Sequence, residues 1–399
     1  MLKRSEDTPA VVILEAREAC SGATGRNGGQ LKSDVYYNIL KYTRKYGAER
    51  AAEFAKFEMR NIMALKRLVE EEKIDCDLVL TRTMDVYLDE EHSKATKATF
   101  DELSNIGVAD LTDVEYTEGI DAQKISGVKG AKSCYSFTAG HLWPYKLVMH
   151  LLEKIVRRGV NLQTHTPVTS VSDTCDSEGR WTVTTPRGTI RTKKLIFATN
   201  GYTAAIAPQF RSKIVPVRGI CSRIQVPRDT KPQTLSNTYS LRHGKGLYDY
   251  MLPRRDGSII LGGAKPSFWH DRSQWYGNTD DRVLIEPASD YFDGIMQRHF
   301  VGWEDSGAYT DHVWTGIMGW SSDFMPFVGP VPGKLGQYII AGFSGHGMPL
   351  IHLCSEGLAG MVGGEKTFEE TGMPSVFAPT EERLKSTRNE ILDTPTGKL

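Results

Sequence analysis

An acid that closes an apolar run, followed by a loop of small residues, is an arrangement that meets nucleotides. Residues 11–30, VVILEAREACSGATGRNGGQ, have that form. In a doubly wound fold the acid at the end of the second strand accepts hydrogen bonds from ribose hydroxyls, a role open to Glu15. A solvated strand end is the alternative for Glu15 taken alone. The loop behind it weighs against that alternative. Small residues let backbone approach a pyrophosphate closely, and successive N–H groups can form an anion-binding nest. Arg26 adds a fixed positive charge, which a plain tight turn does not need.

Two later stretches carry the same kind of signal. LIFATNGY (195–202) is an apolar strand that opens at Ala198, Thr199, Asn200 and Gly201, where backbone can lie against something flat or charged. Any strand-to-loop corner could read this way. AGFSGHGMPLIHLCSEGLAG (341–360) sets Gly342, Gly345 and Gly347 ahead of a helix. Helix N-termini favour negative or electron-rich groups, so this loop suits a phosphate or a reducible ring. A histidine such as His346 is more often structural than catalytic, but packing does not explain glycines on both sides of it.

The elements that position these loops are legible from periodicity. Residues 11–14 form a short β-branched run expected to be buried on both faces of a parallel sheet. From Ala51 to Glu72 the residues Phe54, Phe57, Ile62, Leu65 and Leu68 recur at helical steps. LVLTRTMDVYL (78–88) reads as strand, and EEHSKATKATFDELSNIG (90–107) as a charged helix stopped by Gly107. Pro144 suits a helix start, the stripe Leu147, Leu151 and Ile155 follows, and Gly159 closes the helix. Three β runs come next, including a hairpin turning at Pro186, Arg187 and Gly188. Residues 214–270 are strand-rich. Parallel-type strands near both ends and around residue 197, with antiparallel material between, imply an α/β nucleotide-binding domain built from separated segments with a β-rich insertion. The tail from about Gly372 is expected to wrap the surface or fray.

Bulk composition narrows the partners. The 49 basic and 49 acidic residues cancel, and the pI is about 7.1. No basic field draws in nucleic acid or an acidic membrane, and no apolar run reaches the ~18 residues of a membrane span. Six cysteines are scattered without a CxxC pair, the pattern of reduced thiols in a cytoplasmic protein. No metal site is expected. The final Gly397, Lys398 and Leu399 approach the peroxisomal address S-K-L but carry Gly in first place.

Taken together, VVILEAREACSGATGRNGGQ, AGHLWPYKLV, KKLIFATNGY, PVRG and WTGIMGWSSDFMPFVGPVPG…YIIAGFSGHGMP resemble the FAD-dependent amine and amino-acid oxidoreductases, the group of D-amino-acid oxidase, glycine oxidase and sarcosine oxidase. SGATGRNGG is most similar to the branch with gamma-glutamylputrescine oxidase and fungal members. The resemblance spans nearly the whole chain. It implies a Rossmann-like FAD domain (1–80, 145–213 and 305–399) and a substrate domain with a large antiparallel sheet (81–144 and 214–304).

By the same resemblance, Glu15 binds the adenosine ribose, with Ala16 and Arg17 beside the adenine. Ser21, Gly22, Ala23, Thr24, Arg26, Asn27, Gly28 and Gly29 line the pyrophosphate and flavin. The backbone at Val168 meets adenine, Ala198–Gly201 lie along the FAD, and Gly342, Gly345, His346, Gly347 and Met348 meet the flavin's pyrimidine end. The implied reaction removes a hydride from the carbon beside an amine nitrogen. Water then hydrolyses the imine, and O2 reoxidises the flavin. Arg26, His346 and Lys265 are the catalytic candidates, and Arg218, Tyr250 and Trp320 the substrate-pocket candidates.

The departures from the family pattern add expectations. WTGIMGWSSDF holds no cysteine, so FAD is expected to bind non-covalently. The family's carboxylate-pairing lysine is replaced by Pro349. Its oxygen-activating lysine is replaced by Ile260, with Lys265 nearby. Strand-GxGxxG-helix is absent, and MLKRSEDTPA reads as the last turn of the helix that follows it, which implies N-terminal truncation. Two rival readings follow: a dehydrogenase using another electron acceptor, and an inactive product with impaired FAD binding.

Overall fold

The strand edges decide where a cofactor can lie. The computed structural model describes residues 10–393, so the helical turn expected of the N-terminal residues and the terminal Gly397–Leu399 lie outside the described residues. Val12–Leu14 pairs in parallel with Asn161–Gln163, and Leu195–Phe197 pairs in parallel with Gln337–Ala341. Gln337–Ala341 continues antiparallel to Phe327–Pro330. Val12–Leu14 departs from the expectation of burial on both faces. Val12 is 37% exposed: among the described residues this strand has one neighbour, and it lines a trough.

The second layer is a nine-stranded sheet. It runs Tyr309–Ser321, Ile214–Gln225, Ile259–Gly262, Leu247–Pro253, Thr238–Gly244, Val79–Tyr87, Ser133–His141 and Gln30–Leu31, and Glu115–Glu118 also pairs with Ser133–His141. Every pairing is antiparallel except Thr238–Gly244 on Val79–Tyr87. Residues 88–237 join the two strands and add Glu115–Glu118, Ser133–His141 and Ile214–Gln225 to the same sheet on the way, a connection long enough for the crossover that a parallel pair requires. The hairpin Trp181–Thr185 and Gly188–Thr192 forms around the expected turn.

The helices follow their sequence signals. Ala48–Glu71 buries Phe54, Phe57, Ile62 and Leu65, and on the same side Glu58 and Asn61. Glu90–Ile106 is capped by Asp89, which accepts from the His92 N–H, and ends at Gly107 with φ +65°. A left-handed residue of this kind releases the last carbonyls at little steric cost when it is glycine. Pro144 begins the helix Pro144–Arg157. As far as Asp393 the tail wraps the surface: Phe377 and Ile391 are fully buried, and Arg383 bonds Asp323 at 2.8 and 3.0 Å. All six cysteines are free thiols. Among the described residues, no helix is long and apolar enough to cross a membrane.

Candidate active site

A trough of about 2030 Å³ separates the two parallel strand pairs. Val12–Leu14 and Leu195–Phe197 both open onto it, and Leu151, Ile155 and Val362 line its apolar wall. At its polar end stand Glu15, Ala16, Arg17, Gly22, Ala23 and Thr24 from the first loop, Val168, and Ala198, Thr199, Asn200 and Gly201 from the second. Three separated segments therefore converge on the trough, whereas Ser21, Arg26–Gly29 and the loop from Gly342 to Met348 are not among its lining residues. Glu15 ends its strand with its N–H on Gln163 O at 2.9 Å, and its carboxylate accepts from the Arg17 N–H at 2.8 Å.

The rest of the first loop is held by arginines. Arg17 Nη1 donates to both oxygens of Asp281, at 2.8 and 2.9 Å. Arg26 gives Nε to Ser21 O at 2.8 Å and Nη1 to Asp281 O and Thr315 O at 3.0 and 2.8 Å. Arg26 is thus bound to backbone carbonyls. Gly28 lies under the ring of Tyr250, where a Cβ would come within 2.8 Å of it. Gly29, at φ +86°, sits against Leu142 O, where no side chain fits. Asn27 accepts from the Gly29 N–H at 2.9 Å.

The C-terminal glycine loop is clamped from two sides. Asn200 Oδ1 accepts from the Gly342 N–H at 2.9 Å, which ties the second loop to the third. On the other side, the helix Ala48–Glu71 offers Glu58 and Asn61, three residues apart and so on one face. Glu58 pairs with His346 Nε2 at 2.7 Å, while Asn61 donates to Met348 O at 3.3 Å and accepts from the Leu353 N–H at 2.9 Å. Glu58 is fully buried, whereas the His346 side chain is 38% exposed. Burial alone would lower the His346 pKa, but the Glu58 carboxylate outweighs it and the imidazole is raised. Gly345 faces Met318 and Trp320, and Gly347 packs on Phe343.

Lys265 lies on three aromatic rings: Trp269 at 4.3 Å, Trp320 at 5.4 Å and Tyr248 at 5.5 Å. Burial brings its pKa down to about 8, since desolvation disfavours the ammonium form. Trp320 and Lys265 therefore share a wall with Gly345. The Tyr250 hydroxyl meets Cys221 Sγ at 3.1 Å. Arg218 stands apart from them: its guanidinium bonds Gln274 O at 2.8 Å and Asp280 O at 3.2 Å and braces the 274–280 loop.

Sequence reasoning missed two groups. Glu58 and Asn61 interrupt an otherwise apolar helical stripe, and that interruption was the available signal. The second group is a buried ionic cluster. Asp85 accepts from Arg242 Nη2 at 2.8 Å, from the Tyr36 hydroxyl at 2.9 Å and from Lys32 Nζ. The Arg242 guanidinium lies 3.9 Å from the Tyr37 ring centre and 5.6 Å from that of Tyr248. No local spacing announces this cluster, because sheet register assembles it.

The residues present fit FAD. An acid stands at the strand end, Gly22 and Gly201 line the trough, and the Ser21 hydroxyl, next to Gly22 in the chain, is buried without a partner among the described residues. The chain belongs to the family described as FAD dependent oxidoreductase, whose profile matches residues 2–361. It is similar to the gamma-glutamylputrescine oxidoreductase of Escherichia coli, 21% identical over 365 residues that cover 89% of this chain and 78% of that protein. It is also similar to the probable oxidoreductase OrdL of Haemophilus influenzae, 23% identical over 395 residues that cover 94% and 83%. Among solved structures, glycine oxidase from Geobacillus kaustophilus superposes with a TM-score of 0.70 at 18% identity, covering 93% of this chain and 92% of that one. The protein is a FAD-dependent oxidoreductase with the expected mixed α/β fold.

Proposed function

We propose that this protein oxidises the C–N bond of a small amine or amino acid and that O2 takes up the electrons. The observation that supports this most is the contact of Asn200, which lines the trough, with the Gly342 N–H, while Glu58 holds His346 in the same glycine loop. Bound FAD supplies the two-electron acceptor. The substrate gives up two electrons and two protons and becomes an imine, which water splits into a carbonyl compound and an amine or ammonia. O2 takes the two electrons and two protons and leaves as hydrogen peroxide.

The chain's own groups then have distinct tasks in this reading. Glu15 holds the ribose, Arg17 and Ala16 border the adenine with the Val168 backbone, and residues 21–29 and 198–201 line the length of the cofactor. Gly345, Gly347 and Met348 would offer N–H groups to the ring, while the Gly342 and His346 N–H groups are taken by Asn200 Oδ1 and Phe343 O, and the His346 imidazolium would add positive charge there, where reduction builds negative charge. With a pKa of about 8, Lys265 Nζ can accept the proton that a substrate ammonium must lose. Trp320 and Tyr250 wall the pocket and exclude water. Arg26 keeps its loop in shape, and Arg218 acts on the pocket through the 274–280 loop. The domain division 1–80, 145–213 and 305–399 against 81–144 and 214–304 belongs to the same proposal, as does a cytoplasmic location.

A dehydrogenase passing electrons to another acceptor is the second reading. It is favoured by Ile260, an apolar residue paired with Arg223 and Leu252 at the strand position expected to activate oxygen. The test is anaerobic mixing of the FAD-loaded protein with panels of amines and amino acids, followed by air or an artificial acceptor. Bleaching by an amine, with peroxide formed in air, supports the oxidase. Bleaching that only the artificial acceptor reverses supports the dehydrogenase. No bleaching by any C–N compound removes both.

A further inference from the structure

The helix Ala48–Glu71 is an amphipathic element whose apolar stripe packs in the core, yet it presents a fully buried carboxylate from Glu58. An unpaired charge at such a place is costly, so its partners are informative. One oxygen takes the Asp34 N–H, and the other takes His346 Nε2 at 2.7 Å. The imidazole bridges this buried carboxylate and open space, since its side chain is 38% exposed. Asn61, one turn further along, pins the same loop at Met348 O and the Leu353 N–H. The loop's position and the histidine's proton are thus governed from one helix face.

We propose that Glu58 is a positioning residue that fixes the His346 ring and keeps it protonated, so that the Gly345–Met348 loop presents a positive charge. For the consequence on the cofactor, the inference rests on the reading that this loop faces the flavin. The charged groups around the imidazole are Glu58, Asp34 and Lys32. Glu58 and Asp34 favour the imidazolium and Lys32 opposes it, with the bonded Glu58 dominant. Burial pushes the Glu58 carboxyl up while His346 pulls it down. We place the shared proton on His346, the partner with the higher ordinary pKa and contact with water.

The variant Glu58→Gln keeps the shape and can donate its amide to neutral Nε2, so the ring is held while the reason for its charge is gone. The experiment follows the His346 ring by NMR from pH 5 to 9 in the protein without flavin, with His346→Gln identifying its signals. The expected result is a titration midpoint lowered by about 1 pH unit or more in Glu58→Gln, with recovery in Glu58→Asp. An unchanged midpoint in folded Glu58→Gln overturns the proposal. The flavin potential of the loaded protein then tests the underlying reading. A lower potential in Glu58→Gln supports both, whereas a shifted histidine with an unchanged potential supports the pair and overturns the placement of the flavin against this loop.

Discussion

Arg17 and Asp281 lie 264 residues apart in the chain and meet through one nitrogen, Nη1, that donates to both carboxylate oxygens at 2.8 and 2.9 Å. The Asp281 side chain is only 4% exposed, and Arg26 Nη1 stands 3.7 Å from it. One buried carboxylate thus ties both arginines of the first loop to the segment that follows the 274–280 loop. Asp281→Ala should cost about 1–3 kcal/mol, because it takes the hydrogen-bond partner from Arg17, which solvent still reaches, and the countercharge from Arg26, whose bonds to backbone carbonyls remain. Urea unfolding at unchanged m-value checks this, and a loss below about 0.5 kcal/mol would show the pair to be ornamental.

Asp85 makes the stronger case, since it lies between Arg242 and Lys32 with no exposure. Asp85→Ala strands two buried cations and should destabilise by roughly 3–5 kcal/mol. Burial alone would raise this carboxyl, but Arg242 and Lys32 outweigh it and hold the group well below the usual carboxylate range. The folded pKa is depressed, so the stabilisation is complete above the unfolded value of about 4 and fades as pH falls below it. Thermal unfolding between pH 7 and 3 should show the wild-type midpoint falling more steeply than that of Asp85→Ala below pH 4.

These two clusters mark how far the sequence could be read. The loops were visible because a nucleotide site needs glycine where backbone approaches closely, and glycine can be read directly. The helices Ala48–Glu71 and Pro144–Arg157 were visible because an apolar stripe has a period. Asp85, Arg242 and Lys32 were not, because their meeting depends on the register of Thr238–Gly244 against Val79–Tyr87, a parallel pairing that no local pattern encodes. Arg26 drew attention as a charge near the flavin. Its bonds to Ser21 O, Asp281 O and Thr315 O give that charge a structural use that only the folded chain reveals.

Lys265 offers a titration that can be read without substrate. Its pKa of about 8 lies below the ordinary lysine value, so between about 8 and 10.4 the folded chain binds fewer protons than the unfolded one. Stability should rise with pH across that window, and Lys265→Met should remove part of that slope. Competitive acetylation read by mass spectrometry should place half-maximal reactivity of Lys265 near pH 8, while surface lysines respond near 10.4. A midpoint shared with the surface lysines would deny Lys265 the proton-accepting part proposed for it.

Tyr250 is packed between two glycines. A Cβ on Gly28 would lie 2.8 Å from its ring, and one on Gly262 would lie 2.5 Å from its ring and hydroxyl. Gly28→Ala must displace the tyrosine or shift the loop, at a cost of about 1–3 kcal/mol. In the Tyr250→Ala background that cost should largely vanish, because the obstructing ring is gone. A double-mutant cycle by urea unfolding measures the coupling, and additive losses would show that Tyr250 is free to move aside.

The trough edges make the last prediction. Val11 O accepts from the Asn161 N–H and the Glu15 N–H reaches Gln163 O, so alternation turns the N–H groups of Val12 and Leu14 toward the trough. Leu195–Phe197 likewise has one neighbour among the described residues, Gln337–Ala341. Amides without a ladder partner exchange with solvent readily, and Val12 and Leu14 should lose their protons far faster than Ile13 in hydrogen-exchange NMR. Equal exchange rates at Val12, Ile13 and Leu14 would show that this strand edge is covered.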